Sequence, residues 1–134
     1  MLQAPQVIGL VLCERFDVDP VAVRVSLVGI FHTRRSQRFP SSPERFAAYA
    51  ALCDAMGEGI MRLEISRVDT EQRVYSYEKW FVAPRDRLLV LNLEIPVRKC
   101  SFPAAGRYLV RLLFDGEIAA ERGLVIKSRE RGAP

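Results

Sequence analysis

His32 is the only histidine in this 134-residue chain. A Ser-His-Asp or Cys-His mechanism would have to pass through it, because the base must exchange a proton near neutral pH. No nucleophile motif stands near it, and its parity sets it beside Arg24, Ser26, Val28 and Ile30 on a strand, which reads as a half-exposed strand histidine. The three cysteines, Cys13, Cys53 and Cys100, lie far apart and form no C-x-x-C pair, so neither a zinc site nor a disulfide framework is expected. They read as free thiols, mostly buried. Asp17 and Asp19, at a sandwich edge, are candidates for calcium with a third carboxylate such as Asp86 or Asp115. Calcium needs six to eight oxygens, and capping or Asx-turn roles account for both acids. No catalytic residue, metal ligand or cofactor is assigned, and the chain is expected not to be an enzyme.

Residues suited to recognition are more frequent. Arg34, Arg35 and Arg38 form the densest basic cluster, with Arg98 and Lys99 a second one. Such groups contact phosphates, but neither loop interleaves aromatic residues with the cations and no nucleic-acid motif is present, so nucleic acid is disfavoured. Arg73, Tyr75, Tyr77 and Lys79 share one parity in a strand that continues to Trp80. A row of basic and tyrosine side chains is what an exposed interaction face carries, and the same rings would offer a stacking platform for a sugar. Core packing is the competing reading for the three aromatics.

The elements that must position these residues read as strands. Apolar residues make up 49% and charged residues 27% of the chain, the balance of an ordinary globular protein, with a formal charge of +4. The length predicts one domain, over residues 1–126, followed by a flexible basic tail at 127–134. Val7–Cys13 reads as a covered strand. Its apolar run lacks a basic leader, Leu12 is large for a residue preceding a lipidated cysteine, and no stretch reaches membrane-spanning length, so a cytosolic protein is expected.

Asp17 to Pro20 reads as a loop, Val23 to His32 as a long second strand, and Thr33 to Pro43 as a polar, basic loop. Residues 44–56 are ambiguous. Ser42-Pro43-Glu44 resembles a helix start and the alanines favour helix, yet Phe46, Ala48, Ala50 and Leu52 alternate; the strand is preferred. Strands follow over Met61–Ile65, Arg73–Val82 and Leu89–Ile95.

The last third is the most legible. Tyr108, Val110, Leu112 and Phe114 alternate with more polar neighbours, and Asp115-Gly116 turns the chain into a final strand. A two-residue loop of Asp115 and Gly116 would oppose Leu112 to Ala119 and Val110 to Glu121; a three-residue loop of Phe114, Asp115 and Gly116, which opposes Leu112 to Ile118 and Val110 to Ala120, is preferred. Gly106-Arg107-Tyr108 at the strand start resembles the tyrosine corner of immunoglobulin-like sandwiches, with Val110 where an antibody domain has cysteine. About eight strands with short turns predict an all-β, antiparallel, immunoglobulin-like β-sandwich.

From the strand ending in Cys13, through Leu27-Val28-Gly29-Ile30-Phe31 and Phe39-Pro40, to Gly106-Arg107-Tyr108 and Asp115-Gly116, the chain is similar to a widespread family of small, uncharacterised bacterial β-sandwich proteins. The likeness covers about Ile8 to Ile126; the family's usual mid-chain Asp-x-x-Gly turn is replaced here by Asp69-Thr70-Glu71-Gln72. The resemblance implies the fold and brings no catalytic residue, cofactor or substrate.

The expected function is a non-catalytic protein–protein interaction or accessory module, acting through the Arg73–Lys79 strand or the Arg34–Arg38 loop, with an edge strand as a route to self-association. A carbohydrate- or small-ligand-binding module is the first alternative, and a phosphate or nucleic-acid binder the second.

Overall fold

The structure, a computed structural model, describes residues 2–22 and 24–129. Every regular element among them is a strand. There are ten: β1 (Gln6–Cys13), β2 (Arg15–Asp19), β3 (Arg24–Val28), β4 (Thr33–Ser36), β5 (Glu44–Cys53), β6 (Glu58–Arg67), β7 (Arg73–Val82), β8 (Leu91–Cys100), β9 (Gly106–Phe114) and β10 (Glu117–Ser128). They form a three-stranded sheet ordered β1-β5-β8, a five-stranded sheet ordered β4-β10-β9-β6-β7, and a separate β2-β3 hairpin. Among the described residues no helix is long and apolar enough to cross a membrane.

The all-β expectation holds, but the count and direction of strands do not. Asp17 to Asp19, expected in a loop, belongs to β2 and pairs with Arg24–Ser26 of β3. The short acid acts at the strand's end: the Asp19 carboxylate accepts hydrogen bonds from the Val21 and Ala22 backbone at 3.0 and 3.2 Å and turns the hairpin there. The long second strand stops at Val28, where Gly29 takes φ +71°, and Val23 lies outside the described residues. Thr33 to Ser36, also expected in a loop, runs parallel to β10, so the architecture is not purely antiparallel. A four-residue edge strand tolerates polar side chains on its open side, and no apolar row announces it. Lys127 and Ser128, assigned by sequence to a tail, close β10 against Arg35 and Ser36. Of that tail, residues 130–134 lie outside the described residues.

The ambiguous segment is β5. Helix propensity yields because β5 is paired on both sides, by β1 and β8, and its Phe46, Ala48, Ala50 and Leu52 row is buried. That row joins Ile95 and Val97 of β8 and, from the other sheet, Met61, Leu63 and Ile65 of β6, Val110 and Leu112 of β9, and Leu124 and Ile126 of β10 in one apolar cluster. At one end Phe81 meets Phe114 edge-to-face with centroids 5.2 Å apart, and at the other Phe102 meets Tyr108 at 4.9 Å. The Tyr108 hydroxyl donates to the Ala104 carbonyl at 2.6 Å, the return bond expected of a tyrosine corner.

The final hairpin corrects the preferred loop. Phe114 pairs with Glu117 and Leu113 with Ile118, so the loop has two residues, Asp115 and Gly116, both at positive φ (49° and 79°). Two positive φ values define the primed turn whose twist matches the flanking strands. A bulge at Ala119 then shifts the register, opposing Leu112 to Ala120 and Val110 to Arg122. The expected inward row of Tyr108, Val110, Leu112 and Phe114 is buried nonetheless, whereas Ile118 is exposed.

Asp115 does more than turn the chain. Its carboxylate accepts the Ile60 backbone N–H at 2.8 Å and the Leu2 N–H at 3.2 Å, tying the starts of β6 and of the chain to the hairpin. Gly59 makes room for it, because a Cβ there would stand 2.4 Å from a carboxylate oxygen. Asp115→Ala and Gly59→Ala are each expected to cost about 1.5–3 kcal/mol in urea unfolding, the scale of a hydrogen bond to a charged group. Because both act on one contact, the double variant should lose less than the sum.

Candidate functional site

The strands bring the recognition residues into three groups that their order in the chain does not reveal. Arg34 is half-buried and committed to the structure. Its guanidinium bonds the Glu44 carboxylate at 3.2 Å and lies 4.7 Å from the centre of the Phe31 ring and 5.5 Å from that of Phe46. Arg35 and Arg38 are exposed and border a 250 Å³ hollow with Ser36, Gln37, Ser42, Pro43 and Glu44. The three arginines therefore do not act as one cluster.

The Arg73-Tyr75-Tyr77-Lys79 row is also divided. A bulge between Ile65 and Ser66 opposes Tyr75 to Ile65 but Arg73 to Ser66, so the arginine emerges on the outer face of the sheet. There it bonds Glu64 at 3.2 Å, within a ladder that runs through Arg62, which bonds Glu64 at 3.3 Å and donates to Glu78 from Nε at 2.8 Å and also from Nη2. Tyr75 and Tyr77 lie opposite Ile65 and Leu63 on the core side, half-buried. Burial pushes the Tyr75 hydroxyl's pKa up, and a hydrogen bond with the Arg98 backbone of β8 opposes it, which places this ring between the free edges of the two sheets. Lys79 is exposed on the same row, whereas Trp80 stands on the opposite face beside Ile60. Tyr75, Tyr77 and Trp80 thus form no common stacking platform.

A hollow of about 520 Å³ lies beside Arg73 and is lined by Glu64, Arg67, Glu71 and Arg111 among others. Its cations are compensated: Arg67 by Asp69 at 3.0 Å, Arg73 by Glu64, and Arg111 by Glu121 at 3.6 Å. His32 serves as a latch. Its Nδ1 accepts from the Arg122 guanidinium, which also donates to the Leu10 carbonyl of β1 at 2.8 Å. No thiol or hydroxyl bonds the ring among the described residues. Cys13 and Cys100 are buried thiols, and burial raises both pKa values, that of Cys100 to about 12. No group of three metal-ligating side chains occurs among the described residues, and Asp17 pairs with Arg15 at 3.4 Å.

Sequence reasoning missed the strongest surface feature. The N-terminal segment, the loops 54–57 and 83–90 and the Asp115-Gly116 turn all lie at one end of the sheets, and exposed apolar side chains gather there. Leu88, Leu89 and Val90 are 88%, 53% and 55% exposed in succession, and Met56, Ile60, Trp80, Val82 and Ile118 are exposed at the same end. The loop that displays the leucines is built. Asp86 accepts the Leu88 N–H on its carboxylate at 2.9 Å and the Leu89 N–H on its carbonyl at 3.2 Å, and the Arg87 carbonyl accepts the Asp54 N–H at 3.3 Å. Two hollows flank Val82: one of about 440 Å³ lined by Met56 and Pro84 among others, and one of about 360 Å³ lined by Met61, Trp80, Leu91 and Leu93 among others. The run Leu88-Leu89-Val90 was the available signal; it reads as the opening of a strand because Leu89, Leu91 and Leu93 alternate.

The outer edges of the two larger sheets carry features that discourage strand addition. β4 is four residues long, β8 carries Pro96 with no N–H, β7 presents Lys79 from its core-facing row, and β1 is bulged at Ile8 with its Leu10 carbonyl already taken. No curated protein matches the chain. A family model matches residues 9–127, and the chain accordingly belongs to DUF6941, a family of unknown function.

Proposed function

We propose that this chain is a non-catalytic protein-interaction module whose binding surface is the apolar end formed by Leu88, Leu89, Val90, Trp80 and Val82. The observation that carries the reading is that eight exposed large apolar residues, drawn from four segments of the chain, lie at one end of the sheets, where three of them, Met56, Trp80 and Val82, line two hollows. Monomeric surfaces scatter such residues; contiguous ones rimmed by polar groups mark interaction sites. Tryptophan beside ready-made hollows is the composition of an interface centre, with Arg85, Arg87 and Glu58 as its rim. A lipid surface fits less well, because Lys79, Arg85 and Arg87 are balanced there by Asp54, Glu58, Asp86 and Glu117. The partner is therefore a protein with an apolar ridge to fill the hollows.

The finer architecture is read as immunoglobulin-like. With Tyr108 on the penultimate strand taken as F, β10-β9-β6-β7 corresponds to G-F-C-C′ and β1-β5-β8 to A-B-E, which supports the assignment. The three unpaired cysteines favour a reducing, cytoplasmic setting.

The test compares the tagged full chain with a Leu88→Glu/Leu89→Glu variant, both used for capture from cells of the native host. Both side chains are exposed, so the variant should keep its unfolding midpoint. It should lose, by at least tenfold, a protein that the wild type retains. Equal retention of every captured protein by the two chains, or wild-type self-association abolished by the same substitutions, would overturn the reading.

A further inference from the structure

At the opposite end, strand pairing sets cations side by side. Parallel pairing of β4 with β10 opposes Arg35 to Lys127, on the outer face of the five-stranded sheet. Antiparallel pairing of β5 with β8 opposes Arg45 to Arg98, on the outer face of the three-stranded sheet. All four residues are exposed. None takes part in an ion pair among the described residues. Neighbouring strands lie roughly 5 Å apart, and like charges directly opposite each other destabilise a sheet. Six other arginines among the described residues do carry ion pairs: Arg15 with Asp17, Arg34 with Glu44, Arg62 with Glu78, Arg67 with Asp69, Arg73 with Glu64 and Arg111 with Glu121. Arg38, exposed in the loop between the two pairs, carries the positive surface around the end of the sheets.

We infer that this end binds single-stranded nucleic acid through its phosphates, each cation pair gripping the backbone from one face. Guanidinium groups match phosphate oxygens in a two-pronged fork, and three of the four paired cations are arginines. The pairs lie on the two outer faces of a pair of sheets whose backbones pack roughly 10 Å apart. A flat membrane meets one face only, whereas a flexible phosphate chain passes around the end and meets both. No exposed aromatic ring accompanies the four cations, so bases are not stacked or read and binding is independent of sequence. The chain order conceals this surface, because Arg35 and Lys127, like Arg45 and Arg98, meet only through pairing.

The test is fluorescence anisotropy of the full chain with a labelled mixed-sequence oligodeoxynucleotide. With about four phosphates neutralised, the logarithm of affinity should fall with that of salt at a slope near −3, about 50-fold between 50 and 200 mM. Arg35→Glu/Lys127→Glu and Arg98→Glu should each weaken binding at least tenfold and flatten the slope. Arg98→Glu also turns a repulsive pair into an attractive one, so its melting temperature should rise by about 2 °C while binding weakens. That opposition separates a binding role from a merely structural one. Absence of binding at 50 mM salt, unchanged affinity in either variant, a lowered melting temperature for Arg98→Glu, or equal competition by polyglutamate of matched charge would each overturn the inference.

Discussion

Phe102→Ala should cost about 3–5 kcal/mol, the range for removing a buried aromatic ring, with the urea midpoint falling and the slope unchanged. Phe102 is 1% exposed and packs edge-to-face on Tyr108, so its removal leaves a cavity beneath the tyrosine corner and strips one face of that ring of its partner. The backbone around it is a clamp between two connections. The Ser41 N–H bonds the Phe102 carbonyl at 2.9 Å, the Phe102 N–H bonds Ser41 Oγ at 2.9 Å, and Ser101 Oγ donates to the Ser41 carbonyl at 2.5 Å. These bonds fix the backbone and oppose collapse of the cavity, which places the expected cost toward the upper half of that range. A loss below about 1 kcal/mol would mean that the end of the core relaxes freely, contrary to this geometry.

The fold should also weaken steeply above pH 9. Cys100 is fully buried, and burial first, with the Glu44 carboxylate adding and the Arg34 guanidinium opposing, pushes its pKa from 9.0 to about 12. Between those values the unfolded chain releases the thiol proton while the folded chain keeps it. The folded state then binds more protons, and stability present below pH 9 is lost as pH rises toward 12. For Cys100 alone the loss reaches roughly 3 kcal/mol by pH 11. Cys13 and Tyr108 shift the same way, each chiefly through burial, so the total slope should be steeper. Urea unfolding at intervals from pH 8 to 11 checks this, and Cys100→Ala should flatten part of the decline. A flat profile for the wild type would contradict the burial of these groups.

The parts of the fold legible in the sequence are those where one side-chain row sits on one strand. The Tyr108–Phe114 row, the Asp115-Gly116 turn and the alternation in residues 46–52 each report local geometry, and each led to the right element. What was hidden depends on partners. β4 has no apolar row and exists because β10 offers it a ladder; β2 exists because β3 does. The register of the last hairpin could not be read because the Ala119 bulge follows the turn, and bulges leave no composition signature beyond a tolerant small residue. The same physics divided the Arg73–Lys79 row, where a single bulge sent Arg73 outward and the tyrosines toward the core.

The surfaces were less legible than the fold. A parity argument treats each strand as uniform, but exposure at the apolar end comes from loops that end strands rather than from strand faces. Leu89 reads as the first residue of an inward row, but β8 begins only at Leu91, and the residues before it are held in a loop by Asp86. Trp80 and Ile60 become neighbours only through the β6–β7 register.

Site-specific photocrosslinking tests the interaction reading most directly. A photoreactive residue is placed at position 88 in the apolar end or at position 21 in the β2-β3 turn, where Val21 is 92% exposed. Irradiated in cells of the native host, the chain labelled at position 88 should give one dominant crosslinked protein that position 21 does not give, and Val82→Glu should abolish it. Matching products from the two positions, or none from position 88, would contradict the proposed interface.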